Sequence, residues 1–208
     1  MSRRKRASIG ASSSHSGYWA NAWGRLKKNK SAIVSLILLI LLILVAIFAK
    51  YVSPYPYDLQ NPAEAYQSPS AQHWLGTDNF GRDILSRIIY GGRISLFVGF
   101  FSIFFAIIVG GILGAVAGYY AGKIDNILMR TMDILMAIPG LLLAITLAAA
   151  FEPGLRNVII AIGVAEVPFY ARILRSSVLS LKEQEFIEAA RCIGASDKRI
   201  ILKHIIPN

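Results

Sequence analysis

The reading turns on residues Ser180 to Pro207, SLKEQEFIEAARCIGASDKRIILKHIIP. Ser180 with Glu183 three residues later has the spacing of a capping box, which predicts a helix starting at Leu181. Gly194 predicts its end, because glycine enters the left-handed cap conformation without steric cost. Ser196 is placed to cap a second helix, and Pro207 closes that one. The first helix is polar on one side and carries Phe186, Ile187, Ala189, Ala190 and Ile193 on the other. Such a stripe must be buried on something: a membrane surface, the underside of a helix bundle, or a partner.

The chain around this stretch is apolar. Of 208 residues 55% are hydrophobic and only 16% are charged, which marks an integral membrane protein built of helices. The net charge is +10, but the basic residues flank apolar runs. That is a topology signal, not a nucleic-acid footprint. The single cysteine, Cys192, allows no intrachain disulfide. It is expected to be a reduced thiol, acting as a small buried apolar residue and not as a reactive group.

Residues 1–30 form a basic arm with Arg3, Arg4, Lys5 and Arg6, a serine patch at Ser12–Ser14, then Arg25, Lys27, Lys28 and Lys30. Its first part has the composition of a disordered segment. Tyr18, Trp19 and Trp23 are suited to the headgroup level. Residues 31–52 hold a first transmembrane helix. Its uncharged part, Ala32 to Ala49, is long enough for about 27 Å of helix, and Phe48-Ala49-Lys50-Tyr51 does not resemble a signal-peptide cleavage site.

Residues 53–93 form a polar segment with several prolines. Gly76 and Gly81 bracket a turn there, Asp78 or Asp83 can cap the helix that follows, and Arg82 and Arg87 lie near these carboxylates as an ion-pair cluster. Ile94 to Tyr120 is a second span. Gly110, Gly114, Gly118 and Gly122 recur in it every fourth residue, giving overlapping GxxxG units for close helix approach. Lys123 to Arg130 reads as a short charged connection, with Asp133 at a helix start. The third span, Ile134 to Phe151, is broken at Pro139-Gly140, and the kink either lines a pathway or serves packing. The fourth, Asn157 to Ala171, contains Glu166 and Pro168. Glu166 either faces an aqueous path or is neutral and hydrogen-bonded inside the bundle. The second reading is favoured, since the span holds no basic partner. Arg172 and Arg175 close the span.

Segments 1–30, 121–132 and 172–208 hold 17 of the 22 Lys and Arg. The positive-inside rule therefore places them, the N-terminus included, in the cytoplasm. Residues 53–93 are then extracytoplasmic. No metal-ligand spacing and no nucleophile elbow occur, and the glycines before Lys123 lack Walker spacing, with Ile124 where Ser or Thr is needed. The expectation is a non-enzyme without cofactor or metal.

Two motifs carry a resemblance. Glu188-Ala189-Ala190, then Gly194, then His204 and Ile206-Pro207 resemble the EAA loop of ABC-importer permeases, with His204 and Ile206 departing from the family's Ile and Leu. His73, Leu75-Gly76-Thr77-Asp78, Gly81-Arg82-Asp83, Ser86-Arg87, Gly91, Arg93, Ser95-Leu96 and Gly99 resemble the segment before the second span in C-type subunits of oligopeptide and dipeptide permeases. Asp133, Pro139 and Leu141–Leu143 match that pattern too.

The resemblance implies an all-α polytopic transmembrane helix bundle of the type I importer kind. Residues 94–208 would be its permease core, with four of six spans present in the chain and two more expected beyond Pro207-Asn208. It implies a multi-pass subunit of the cytoplasmic (inner) membrane, surrounded by lipid, that imports oligopeptides or dipeptides. Its expected partners are two ATP-binding subunits, a second permease subunit forming a heterodimer, and an extracytoplasmic substrate-binding protein. Glu188, Ala189, Ala190 and Gly194 of the coupling segment 180–207 would dock on the ATPase. Pro139 and Glu166 are candidates for the pathway or its gate. The alternatives are a permease for nickel or another small solute and a secondary transporter, although neither inverted repeats nor paired intramembrane charges are found.

Overall fold

The computed structural model describes residues 18–207, with side chains from Trp23 onward. The basic run Arg3–Arg6, the serine patch, and the side chains of Tyr18 and Trp19 lie outside what it describes. The described chain is helical apart from its loops and one isolated bridge between Thr77 and Asp83. Two units, residues 1–90 and 91–208, are described in turn.

In the first unit, helix α1 (Tyr18–Lys28) precedes α2 (Lys30–Ile47). Asn29 caps α2, its side chain accepting from the Ala32 N–H at 3.2 Å. Past Lys30, α2 is apolar on every face, which suits it to lipid and not to a polar surface. A single turn, α3 (Ala49–Val52), ends it. The loop that follows is fixed by two carboxylates. Asp83 Oδ2 accepts from the Ser86 N–H at 2.7 Å and from its hydroxyl at 2.6 Å, capping the next helix as the sequence suggested. Asp83 Oδ1 meets His73 Nδ1 at 3.0 Å, and the His73 ring lies against Tyr55. Asp78 holds the turn: its Oδ1 accepts from the N–H groups of Phe80 and Arg82, while Oδ2 pairs with Arg82 Nε and Arg87 Nη1. Gly81, at φ +69°, is obligatory, since a Cβ there would stand 1.8 Å from the Asn61 carbonyl oxygen.

Helix α4 (Ile84–Tyr120) starts ten residues before the expected span and runs for 37 residues, about 55 Å. In the second unit it packs on α7 (Leu155–Leu181). A Cβ on Gly110 would meet the Val167 carbonyl at 2.6 Å, one on Gly114 the Ala171 carbonyl at 2.3 Å, and one on Gly118 the Arg175 carbonyl at 2.8 Å. Gly163 of α7 likewise accommodates the Phe105 ring, and Ser102 Oγ donates to the Ile159 carbonyl at 3.1 Å. Gly122, the fourth member of the repeat, has left α4; it opens the next helix at φ +58° with nothing around it.

The contacts pair 102 with 159, 110 with 167, 114 with 171 and 118 with 175, so α4 and α7 run parallel. The chain must therefore return from the C-terminal end of α4 to the N-terminal end of α7 between residues 121 and 154. It does so through α5 (Gly122–Met136) and α6 (Gly140–Ala150), bent by 89° at their junction. Among the described residues three helices are long and apolar enough to cross a membrane, or up to four if the bent pair counts as one span, which the parallel register of α4 and α7 suits.

Here the structure corrects the sequence. Lys123–Arg130 is not a connection but part of α5, whose inward side carries Asp125, Met129 and Met132 at helical spacing. Asp133 lies in the last turn of α5, not at a helix start, and pairs with Arg172 at 2.5 Å. Arg175 does not close a span either. It sits within α7 and grips Asp125 with two bonds of 2.5 Å. The helix continues because Pro168, buried inside it, removes only one backbone donor.

Gly114→Ala pushes a methyl into a backbone carbonyl and is expected to cost about 1–3 kcal/mol. Gly111→Ala meets only the Leu174 side chain at 3.9 Å and is expected to be neutral or to gain from helix propensity. Thermal unfolding of the two variants in nanodiscs compares them, and equal melting temperatures would refute the seam.

Burial pushes the Asp78 and Asp83 carboxyls up, but hydrogen bonds outweigh it: from the Arg82 and Phe80 N–H groups and the Arg82 and Arg87 side chains on Asp78, and from Ser86 and His73 on Asp83. Both are held below their ordinary 3.8. Their stabilisation is complete above that value and lost as pH falls below it through the folded values. Amide protection of Phe80, Arg82 and Ser86 should stay level from pH 7 to 5 and drop only below 3.8.

Candidate functional site

The segment after α7 holds α8 (Glu185–Cys192) and α9 (Asp197–Ile200), the latter widening into a π turn over Ile201–Ile205. No helix begins at Leu181. The backbone of α7 continues through that residue, with Lys182 N–H bonded to the Val178 carbonyl, so the donors a capping box would serve are already satisfied. Ser180 Oγ turns back to the Ser176 carbonyl instead. The predicted stop does occur. Gly194 adopts φ +78°, Ala195 N–H bonds to the Ala190 carbonyl and Gly194 N–H to the Arg191 carbonyl, the two bonds of a Schellman cap. Ser196 occupies the N-cap of α9 without a side-chain bond.

The apolar stripe divides between two faces. Ile187 (0% exposed) and Ala190 (5%) turn inward, joining Ile200 and Ile205 in a core with Ala115 and Tyr119 of α4 and Val178 of α7. Phe186, Ala189 and Ile193 remain outside, Ile193 at 85% exposure. Glu188 is exposed in the first turn of α8, where the helix dipole favours its charge. Gly194 is exposed, with open space where a Cβ would stand. Of the four expected docking residues, Glu188, Ala189 and Gly194 therefore share the outer surface, while Ala190 belongs to the anchor. Cys192, expected to be buried, is exposed, because the Schellman turn carries the end of α8 away from the core.

One polar link crosses from α4 to this segment. The Tyr119 hydroxyl donates to Asp197 Oδ1 at 2.6 Å, and the Arg191 guanidinium lies 5.5 Å from the Tyr119 ring centre. Neither Tyr119 nor Asp197 was singled out in the sequence. They are 78 residues apart, and no short motif joins them. Phe186, Ala189 and Ile193 could have been separated from Ile187 and Ala190 by their spacing of three and four.

Pro139 is at the N-cap of α6, exposed at the 89° break. Glu166 is half-buried in α7 beside Val167, which receives Gly110. The structure does not bring Pro139 or Glu166 to the α8 surface.

Residues 110–208 match the family model of the binding-protein-dependent transport system inner membrane component. Residues 17–69 match the N-terminal TM domain of oligopeptide transport permease C. Over these stretches the chain is similar to the two permease families. It is 50% identical over 190 residues to the dipeptide transport system permease protein DppC of Alkalihalophilus pseudofirmus, covering 91% of this chain and 62% of that relative. The glutathione transport system permease protein GsiD of Escherichia coli O157:H7 and that of Shigella boydii serotype 4 are each 45% identical over 193 residues, covering 91% of this chain and 63% of theirs. The chain thus spans less than two thirds of the length of these relatives.

Ile187→Ala empties a fully buried site and should cost about 2–5 kcal/mol, whereas Ile193→Ala, on the surface, should stay within about 0.5 kcal/mol. Limited proteolysis after Arg191 and Lys198 reads the difference. Equal cleavage rates would mean the segment is not anchored by its inner face.

Proposed function

We propose that the chain forms part of the permease subunit of an ATP-driven importer for short peptides, dipeptides and glutathione-like tripeptides among them. The observation that carries this is the division of α8. Its inner face is fixed to the membrane helices, and its outer face offers Phe186, Ala189 and Ile193 beside the Gly194 turn. A small apolar ridge bounded by charge fits a cleft in a partner protein. The resemblance of the coupling segment to that of ABC-importer permeases supports an ATP-binding subunit as that partner, with hydrolysis there. A second permease subunit and an extracytoplasmic binding protein complete the assembly.

Four crossings return the chain to the side where it began, so the N-terminal arm and α8 share one side. Residues 1–30 and 182–208 hold 13 of the 22 basic residues, which by the positive-inside rule supports a cytoplasmic placement. ATP binding then draws the docked α8 helices together, and the bundle alternates between two states. Pro139, at the break, and Glu166, an acid within a span, are the candidates for the translocation path.

Ile193→Asp tests the docking directly. Its position is exposed, so folding should be indifferent. In the full-length importer the variant subunit is expected at normal levels in the membrane, but without copurifying ATPase and without ATP-dependent uptake of a labelled dipeptide. Retained ATPase and unchanged uptake would refute the docking surface.

A further inference from the structure

The Gly194 turn between α8 and α9 is open: a Cβ placed on Gly194 would find no atom within 4 Å. The apolar core beneath it, Ile187, Ala190, Ile200 and Ile205, anchors α8 through packing, which is non-directional and does not by itself set the angle of the turn. Tyr119 contacts both arms of the turn through polar or charged groups. Its ring faces Arg191 before the glycine, and its hydroxyl donates to Asp197 after it. Tyr119 is buried in the last turn of α4, the helix whose glycines seat it on α7. We infer that Tyr119 is a positioning residue that sets the angle between α8 and α9 and transmits the movement of the docking helix to α4.

The inference rests on the docking reading above and adds a route to it. An apolar contact alone would let α8 tilt on its core when the ATPases close. A hydroxyl–carboxylate bond of 2.6 Å is short and charge-assisted, and it holds one register. With the link in place, a displacement of α8 is carried into α4. Without it, α8 follows the ATPase while α4 lags. The consequence is a loss of coupling, not of docking or of hydrolysis.

Tyr119→Phe keeps the ring, the burial and the contact with Arg191, and removes only the hydroxyl. Asp197→Asn, at an exposed position, removes the charge from the other partner. Both are made in the complete importer reconstituted in liposomes. Three quantities are read: dipeptide taken up per ATP hydrolysed, ATP hydrolysis itself, and the yield of a thiol crosslink from the exposed Cys192 to the ATPase subunit. Each variant is expected to keep the crosslink and to go on hydrolysing ATP, while uptake per ATP falls about five-fold or more, the lower end of ordinary coupling between sites. The double variant should be no worse than either single one.

An unchanged ratio in both variants with the crosslink intact overturns the proposal, as do losses that multiply in the double variant. If Tyr119→Phe lowers the amount of assembled complex, Asp197→Asn carries the test; a shortage of complex with a normal ratio assigns Tyr119 to folding alone and also overturns it. A wild-type importer that gives no crosslink refutes the docking reading first, and this inference with it.

Discussion

The backbone contact between α4 and α7 is the constraint on which the second unit depends. In lipid the hydrophobic effect cannot drive two apolar helices together, so close packing must do it. Gly110, Gly114 and Gly118 provide the approach, each facing a backbone carbonyl of α7 with no room for a side chain. Three contacts at four-residue spacing also fix register. A slip of one residue would turn the glycines away and bring Val109, Leu113 and Ala117, or Gly111, Ala115 and Tyr119, toward the carbonyls. Because the register is parallel, the direction of the chain between the two helices is fixed as well. The α5–α6 pair carries it back from the C-terminal end of α4 to Leu155.

The ion pairs complete this arrangement in a different way. Asp125 binds Arg175 with both carboxylate oxygens, and Asp133 binds Arg172. Both acids are on α5 and both bases on α7, in antiparallel order. A partly buried pair of this kind is weak as a source of net stability, since desolvation offsets much of its attraction. Its geometric demand is strong, however: a bidentate fork accepts one orientation. The glycines bring α7 to α4, and the arginines then specify how α5 lies across it. This leaves α6 free to turn by 89° at Pro139 without disturbing the seam.

The apolar runs of the spans, the GxxxG repeat and the stop at Gly194 were legible because each depends on residues within a few positions. A carboxylate cap for α4 was legible too, though only as Asp78 or Asp83; the bonds from Ser86 assign it to Asp83. What was missed depended on distant partners. Lys123 to Arg130, Asp125 among them, read as a connection and Asp133 as a helix start, because charge within a membrane protein suggests an exit from the bilayer. Asp125 is inside because Arg175, 50 residues away, neutralises it. Arg172 and Arg175 looked like the end of a span for the same reason. The capping box at Ser180 has the right letters, but a continuing α7 already satisfies the backbone it would serve. The candidate site was legible as a segment and not as a surface: the sequence marked Glu188, Ala189, Ala190 and Gly194 without showing which of them face outward.

That division bears on why a coupling segment should be so short. A helix of eight residues cannot hold itself together in water, so α8 needs a tertiary anchor. Ile187 and Ala190 provide it by entering the core formed by the ends of α4 and α7. One face used for anchoring leaves one face for a partner, and eight residues give little more than two turns to share between them. Alanine at position 190 lets α8 sit close to the membrane helices, and a larger residue there would lift the helix off its support. Ala189, about 100° round the helix, is exposed, and the proposed docking would need it small for close approach. The Glu-Ala-Ala run thus turns neighbouring small residues to an inner and an outer face of one short helix, with the Gly194 turn bringing the chain back so that Asp197 can reach Tyr119.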